Sequence, residues 1–136
     1  MSELTSRRDR LARILMITLG VATLGAFANA AFEFGAVAPE RINVEAWRML
    51  AFPVFAGLFV LLGLFPRRMP GVWELVFFQK AGIAVFLAFF IEAAPVAGAP
   101  FSDNADTIIT VDAVLAVVTF VSYLLTQGWR AWSPSR

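Results

Sequence analysis

Two polar side chains interrupt a long apolar stretch in the middle of the sequence. The segment Val72–Ile91, VWELVFFQKAGIAVFLAFFI, carries Gln79 and Lys80 close to its centre. An ammonium in apolar surroundings costs free energy unless it is paired, hydrated or able to reach water. Lys80 therefore has two interpretations. Its stem extends back toward the nearer polar boundary, or it faces other helices and meets a carboxylate or an anionic or carbonyl-bearing ligand.

The candidate carboxylate for Lys80 is Asp112, which lies near the start of the apolar run Thr107–Gln127. At a helical rise of about 1.5 Å per residue, the two residues lie at different depths in a layer about 30 Å thick. A direct ion pair therefore requires the lysine to extend toward Asp112, or a water molecule to bridge them. Asp112 also has a simpler interpretation as an acid near the positive end of its helix.

A second group of polar residues lies at the ends of the apolar runs. Arg48 is the cation among them, and bidentate geometry is available to it, so it is predicted to bind Glu33, Glu92 or Asp112. The alternative is that each acid lies in hydrated surroundings. The residue types and positions together give a set of candidate ligand-binding residues: Gln79, Lys80, Asp112, Arg48, Glu92 and Glu33.

The residues that are missing narrow the chemistry further. The chain has no Cys and no His, which excludes disulfides, thiol chemistry and metal or haem ligation through those side chains. No catalytic residue and no metal site are predicted. The net charge is +1 and the positive residues form no patch, so nucleic acid is not an expected partner.

The elements that position these residues follow from the composition. The chain has 136 residues, of which 60% are hydrophobic and 15% charged, with a mean hydropathy of +0.76. A water-soluble protein of this size has too small an interior to bury so many hydrophobic residues away from water. Four apolar runs approach the roughly 20 residues that cross a bilayer as a helix, whereas the strands of a membrane barrel are short and alternating. They are Ile14–Phe32, Met49–Phe65, Val72–Ala94 and Thr107–Gln127.

These runs predict an all-α fold: a transmembrane four-helix bundle that forms a single integral membrane domain over residues 1–136. Arginines cluster before the first helix, in the turn after the second and after the fourth, which places both termini in the cytoplasm by the positive-inside rule. Four tryptophans lie near helix ends and are predicted to be interfacial anchors: Trp47, Trp73, Trp129 and Trp132. Small residues predict closely packed helix faces: Ala22, Ala26 and Ala30, then Ala84 and Ala88, with Gly20, Gly25, Gly57 and Gly82 nearby.

The N-terminal segment has a second interpretation. A basic region, an apolar core and Ala28-Asn29-Ala30 together fit a cleavable signal peptide, and Ser6-Arg7-Arg8 is similar to the start of a twin-arginine export signal. The apolar run continues through Phe32, which favours a retained helix instead. Cleavage would leave three helices and place the mature N-terminus outside.

The layout resembles the small bacterial four-helix membrane proteins of the DoxX-like type. The similar features are an arginine-led first helix (RLARILMITLG), an Arg/Pro-rich turn (GLFPRRMP), the lysine of QKAG and a last helix with an early Asp and a late Tyr (VDAVLAVVTFVSYL). The glycine-then-lysine ending typical of the first helix is replaced by GAFANAAFEF. The resemblance implies a bacterial inner-membrane location, and some members are associated with quinone-linked oxidation of sulfur compounds.

Several functions are compatible with these features. A non-catalytic inner-membrane protein, an accessory subunit or a binder of an apolar ligand such as a quinone or lipid, is the main hypothesis, with the bilayer and other subunits or further copies of the chain as partners. The alternatives are an ion- or proton-coupled transporter and a membrane-embedded lipid isomerase. The mid-membrane stretch of the first helix offers only Thr18 and Thr23, which argues against a carboxylate-driven exporter.

Overall fold

The computed structural model is a bundle of four long helices. It describes residues 3–93 and 105–133, with α1 at Glu3–Glu33, α2 at Ile42–Leu64, α3 at Val72–Ala93 and α4 at Ala105–Thr126. Three short 3-10 helices, Phe34–Ala36, Pro39–Arg41 and Gly128–Trp132, complete the regular structure, and these described ranges contain no strand. All four long helices have the length and hydropathy of membrane spans. The predictions of an all-helical fold and of four helices long and apolar enough to cross a membrane are confirmed.

The helices do not pack in the order of the chain. α1 contacts α2 and α4 extensively, and α4 contacts α3, whereas α2 and α3 touch at few points. The core lies where these surfaces meet, and its residues are fully or almost fully buried: Met16, Phe59, Leu62, Trp73 and Val76. Because α1 and α4 lie side by side, residues of the last helix share the interior with residues of the first two.

Glycines let α1 and α2 approach closely. A Cβ added at Gly20 would lie 2.8 Å from Cγ2 of Val60, and one added at Gly63 would lie 3.1 Å from Cβ of Met16. Such distances are at or below the contact limit for carbon atoms, so the missing side chains create the space for the opposing helix. The α1–α2 interface is therefore a close fit of small and apolar surfaces.

The face of α1 that packs is not the predicted one. Ala22 and Ala26 are exposed and Ala30 is half-exposed, whereas Met16 and Gly20 are buried. The buried repeat Ala12, Met16 and Gly20 and the repeat Ala22, Ala26 and Ala30 are offset by two residues, which places them on roughly opposite faces of α1, and spacing alone does not show which face packs. The prediction is wrong for the alanine repeat of α1, whereas Gly20, which the same prediction names, does lie in the contact with α2.

Two helices are longer than the apolar runs predict. α1 begins at Glu3 rather than near Ile14, and α2 begins at Ile42 rather than near Met49. Hydropathy marks the apolar part of a helix and omits its polar turns, which extend beyond a bilayer. The early start of α2 is stabilised by Glu45, which binds Arg41 and Arg48 at helical spacing. Residues 94–104, between α3 and α4, lie outside the described ranges.

One end of the bundle carries most of the arginines and is tied together by an ion pair. Arg67, in the turn after α2, donates two hydrogen bonds to Asp9 of α1, at 2.7 and 3.0 Å. We call this the arginine-rich end; its cationic residues are Arg7, Arg8, Arg10, Arg13, Arg67, Arg68 and Arg130. A bidentate contact orders both the turn and the start of α1.

The tryptophans divide into three exposed and one buried residue. Trp47, Trp129 and Trp132 are 82%, 45% and 62% exposed near helix ends, as anchors would be. Trp73 is 1% exposed, and its indole N–H donates to the carbonyl of Pro66 at 2.9 Å. Gly128 leaves room for it, since a Cβ there would lie 2.8 Å from the indole nitrogen. The anchoring role predicted for Trp73 is wrong, because this residue belongs to the core.

Candidate functional site

Lys80 and Asp112 form an ion pair inside the bundle. The Nζ of Lys80 lies 3.0 Å from Oδ1 of Asp112, and their side chains are 11% and 12% exposed. The same ammonium lies 4.1 Å from the ring centroid of Phe55 on α2. One lysine therefore joins α2, α3 and α4 at the side of the bundle where α2 and α3 otherwise barely touch. The face of an aromatic ring attracts a cation, so both contacts stabilise the charged amine.

The difference in depth between the two residues is bridged by the lysine stem. The ring pairs Trp73–Tyr123 and Phe77–Phe120 set the antiparallel register of α3 and α4. That register places Lys80 level with residues 116–117, so Asp112 lies roughly one helical turn, about 6 Å, further from the arginine-rich end. Lys80 extends across this gap. The alternative in which its stem returns to the nearer, arginine-rich boundary is wrong.

The ion pair leaves few polar groups free nearby. Each charge satisfies the other, as buried charges require. The neighbouring Gln79 is half-buried, and its Oε1 has no hydrogen-bond partner among the described residues. The structure thus brings Lys80 and Asp112 together, as one of the two interpretations required. Their role in ligand binding, and that of Gln79, stays a prediction.

Arg48 does not bind any of the described acids predicted for it. It pairs with Glu45, three residues earlier on α2, and Glu45 also accepts from Arg41 at 2.9 Å. The short spacing along one helix holds the two side chains together without the loop closure that a pair with Glu33 or Asp112 would need. The prediction for these partners is wrong. The side chain of Glu92 falls outside the described residues.

Arg48 and Glu33 nevertheless line one cavity, at the end of the bundle opposite the arginine-rich end. Its volume is about 630 Å³. We call it the Arg–Glu cavity; its walls come from the end of α1, the following loop and the starts of α2 and α4, and the residues are Ala30, Glu33, Phe34, Ala36, Val37, Ala38, Arg41, Val44, Glu45, Arg48 and Ile108. Two of the six predicted ligand-binding residues therefore share a site, although they do not touch.

A second concavity, which we call the α3–α4 groove, was not predicted. Its volume is about 370 Å³ and its wall is almost entirely apolar; the lining residues are Trp73, Glu74, Phe77, Phe78, Thr119, Phe120 and Tyr123. The sequence signal for it is an aromatic residue on matching turns of two helices. Such residues more commonly fill the space between helices, and only the register of α3 against α4 shows that they leave a groove.

Thr119 is the unusual residue of the α3–α4 groove. Its side chain is 0% exposed and its Oγ1 has no hydrogen-bond partner within the described part of the chain. Hydroxyls in helices commonly donate to the carbonyl four residues earlier, as Thr126 does to Ser122 at 2.8 Å. A buried hydroxyl without such a partner costs free energy. One unused polar group therefore lies buried directly behind the apolar wall of the groove.

The arginine-rich end of this groove is polar. Oε1 of Glu74 accepts from the Tyr123 hydroxyl at 3.0 Å and from Nε1 of Trp132 at 3.1 Å. The indole of Trp132 also covers Gly71, where an added Cβ would lie 3.4 Å from it. These contacts join the start of α3 to the end of α4 and the segment after it. The groove is thus closed by hydrogen bonds at one end and lined by rings along its length.

Comparisons with known proteins place no further constraint on the site. No family model matches the chain, and no match was found among curated proteins or among solved structures. The resemblance to the DoxX-like type stays a prediction. The functional argument therefore depends on the geometry of the bundle.

Proposed function

We propose that the protein is a non-catalytic, multi-pass protein of the bacterial inner membrane that binds an apolar ligand, a quinone or a lipid, in the α3–α4 groove. The observation that supports this most strongly is a groove of about 370 Å³ with an apolar wall and one buried hydroxyl that lacks a partner. Ligand sites characteristically combine a mostly apolar lining with a few polar groups. The groove has this composition.

The groove suits a ligand that arrives through the membrane. Phe78 is 74% exposed and Phe120 is 45% exposed, so the groove opens on the side of the bundle that faces hydrocarbon in a bilayer. Rings of Phe77 and Phe120 lie 5.5 Å apart at its wall. Aromatic faces stack on flat rings and pack against chains. A quinone ring or an acyl chain can therefore enter without crossing water.

The Thr119 hydroxyl gives the ligand its polar contact in this proposal. A quinone carbonyl or a lipid ester oxygen accepts a hydrogen bond, and the buried Thr119 hydroxyl donates one when the bound ligand displaces the side chains that cover it. Lys80 and Asp112 are not needed for this contact, because they bind each other at 3.0 Å. In this proposal they hold α3 against α4 and so position the groove.

The proposed orientation in the membrane follows from the distribution of positive charge. Helices α1 and α3 begin at the arginine-rich end, and α2 and α4 end there, so the positive-inside rule favours a cytoplasmic position for this end and both termini. An accessory role is supported by open surfaces on three helices. A Cβ added at Gly25, Gly57 or Gly82 meets no atom within 4 Å, so another transmembrane helix has room to approach there.

The decisive experiment uses Trp73 as a reporter, since it lines the groove. Replacing Trp47, Trp129 and Trp132 with Phe leaves Trp73 as the single tryptophan. This triple variant, in which Glu74 keeps the Tyr123 donor but loses Trp132, is the parent with which the further variants are compared. In detergent, saturable quenching by decylubiquinone, or by a phospholipid with brominated acyl chains, reports binding. We expect Thr119→Val to weaken binding about fivefold to tenfold, the value of one hydrogen bond.

Ser122→Ala is the matched control, because Ser122 is equally buried and unpartnered within the described residues but does not line the groove. It should leave the affinity unchanged. Linear, non-saturable quenching by both probes would overturn the proposal. Equal ligand affinity of the Thr119 variant and the parent would show that the Thr119 hydroxyl does not bind the ligand.

A further inference from the structure

The Arg–Glu cavity carries charges of both signs at the end of the bundle distant from the α3–α4 groove. Arg41 and Arg48 both bind the carboxylate of Glu45, whose side chain is only 11% exposed. Two guanidinium groups share one carboxylate, so one positive charge remains uncompensated within this trio. The arginine side chains are 58% and 46% exposed and keep most of their N–H donors free for another acceptor.

Glu33 supplies the opposite charge. It lines the same cavity and is exposed, and it forms no ion pair or side-chain hydrogen bond within the described ranges. The cavity therefore presents a cationic side, from α2, and an anionic side, from the end of α1. A simple anion would be attracted by the first and repelled by the second. A zwitterion satisfies both.

The cavity lies at the depth of lipid headgroups. Trp47, one residue before Arg48, is 82% exposed, and exposed indoles prefer the membrane–water boundary. The remaining wall is apolar, with Val44 of α2 and Ile108 of α4 among its residues. A ligand with a charged head and an apolar remainder fits such a site.

We propose that the Arg–Glu cavity binds the headgroup of a zwitterionic phospholipid that carries a primary ammonium, as in phosphatidylethanolamine. The phosphate accepts hydrogen bonds from Arg41 and Arg48, and the ammonium donates to Glu33. The glycerol and the first acyl carbons contact Val44 and Ile108. A choline headgroup has a cation but no N–H to donate, and a glycerol headgroup has hydroxyl donors but no cation, so neither offers Glu33 a hydrogen bond from a positive charge.

The test measures headgroup selectivity. The delipidated full chain in detergent is titrated with short-chain phosphatidylethanolamine, phosphatidylcholine or phosphatidylglycerol, and bound lipid is counted by native mass spectrometry. We expect the parent to prefer the ethanolamine lipid about tenfold, the value of one charge-assisted hydrogen bond. Glu33→Gln should abolish this preference. Glu40→Gln removes the same charge from the segment between α1 and α2, outside the cavity lining, and should retain the preference.

A second pair of variants tests the phosphate contact. Arg48→Gln should weaken the binding of all three lipids, whereas Arg68→Gln, at the arginine-rich end, should weaken the binding of none. Equal affinity of the parent for the three headgroups, or an ethanolamine preference that survives Glu33→Gln, would overturn the proposal. So would inorganic phosphate that displaces the bound lipid at equal concentration, since the site would then bind an anion alone. Thr119→Val should not alter these results, which keeps this site separate from the groove.

Discussion

The two main helix pairs of this bundle are held together in different ways. Between α1 and α2, glycines and buried apolar side chains fit closely, and the described contacts across this pair are mainly van der Waals contacts. Between α3 and α4, an ion pair, a hydrogen bond to Glu74 and ring contacts join the helices, and a groove remains. Lipid tails are as apolar as leucine, so a helix pair in a bilayer needs either close packing or polar contacts.

The comparison explains where a ligand site can form. Two helices that are held together by dispersion forces leave no space for a ligand between them, because these forces act only between atoms in van der Waals contact. A pair held by a few polar contacts can leave space between them, since those contacts act at defined points. The α3–α4 pair can therefore accommodate a small molecule between its helices, whereas the Arg–Glu cavity lies beyond the close fit of α1 and α2, at the ends of the helices. Variants that weaken each pair selectively test this division.

The largest effect should come from the ion pair. Lys80→Leu leaves Asp112 buried without its cation, and loss of one partner of a buried pair costs on the order of 3 kcal/mol of unfolding free energy. Replacing both residues with leucine should recover most of that stability. Equilibrium unfolding of the parent, the single variant and the double variant in a denaturing detergent series measures the difference. A single variant at least as stable as the parent would show that the ammonium is merely tolerated.

A somewhat smaller effect should follow from filling the α1–α2 contact. Gly20→Val places atoms where Val60 and the carbonyl oxygen of Ala56 already lie, at 2.8 and 3.1 Å from the ideal Cβ, and should cost about 2 kcal/mol. Gly25→Val, on the same helix with no atom within 4 Å of its Cβ, is the control and should leave unfolding unchanged. Similar melting temperatures for both variants would contradict the close fit.

The smallest effect should come from the polar end of the groove. Tyr123→Phe removes the hydrogen bond to Glu74 and keeps the ring contacts, so we expect a loss of about 0.5–1 kcal/mol. The effect should appear in hydrogen exchange of the last turn of α4 more than in global unfolding. Trp132→Phe removes the second donor to Glu74 and should produce a similar local change. Unchanged exchange in both variants would mean that Glu74 does not join these elements.

Much of the fold was predictable because long, continuous apolar runs strongly favour helices. Length and hydropathy of the apolar runs predicted four helices, and α3 and α4 agree with their predicted ends to within two residues where both are described. Helix order in space was not predictable. Chain order suggests that α2 and α3 pack together, whereas α1 lies between α2 and α4. That arrangement depends on the fit of side chains such as Met16 and Phe59, which hydropathy does not encode.

Only part of the candidate site was predictable from the sequence. Lys80 and Asp112 are recognisable because charges are rare in apolar runs, and the structure brings them together. Thr119 and Tyr123 carry no such signal, since hydroxyls are common in membrane helices. Arg48 was assigned to distant acids although a nearer one, Glu45, lay one turn away on the same helix. Contacts between helices depend on rotation and register, and these are determined by packing rather than by residue type.

The bond between Asp9 and Arg67 has a consequence for biosynthesis. It connects the beginning of the chain to a residue just past its second apolar run, at 2.7 and 3.0 Å, and no later residue takes part in it. The first hairpin can thus close on itself while the ribosome is still making the remainder, as N-terminal units commonly do. The paired α1 and α2 then offer the surface of α1 against which α4, with α3 beside it, assembles.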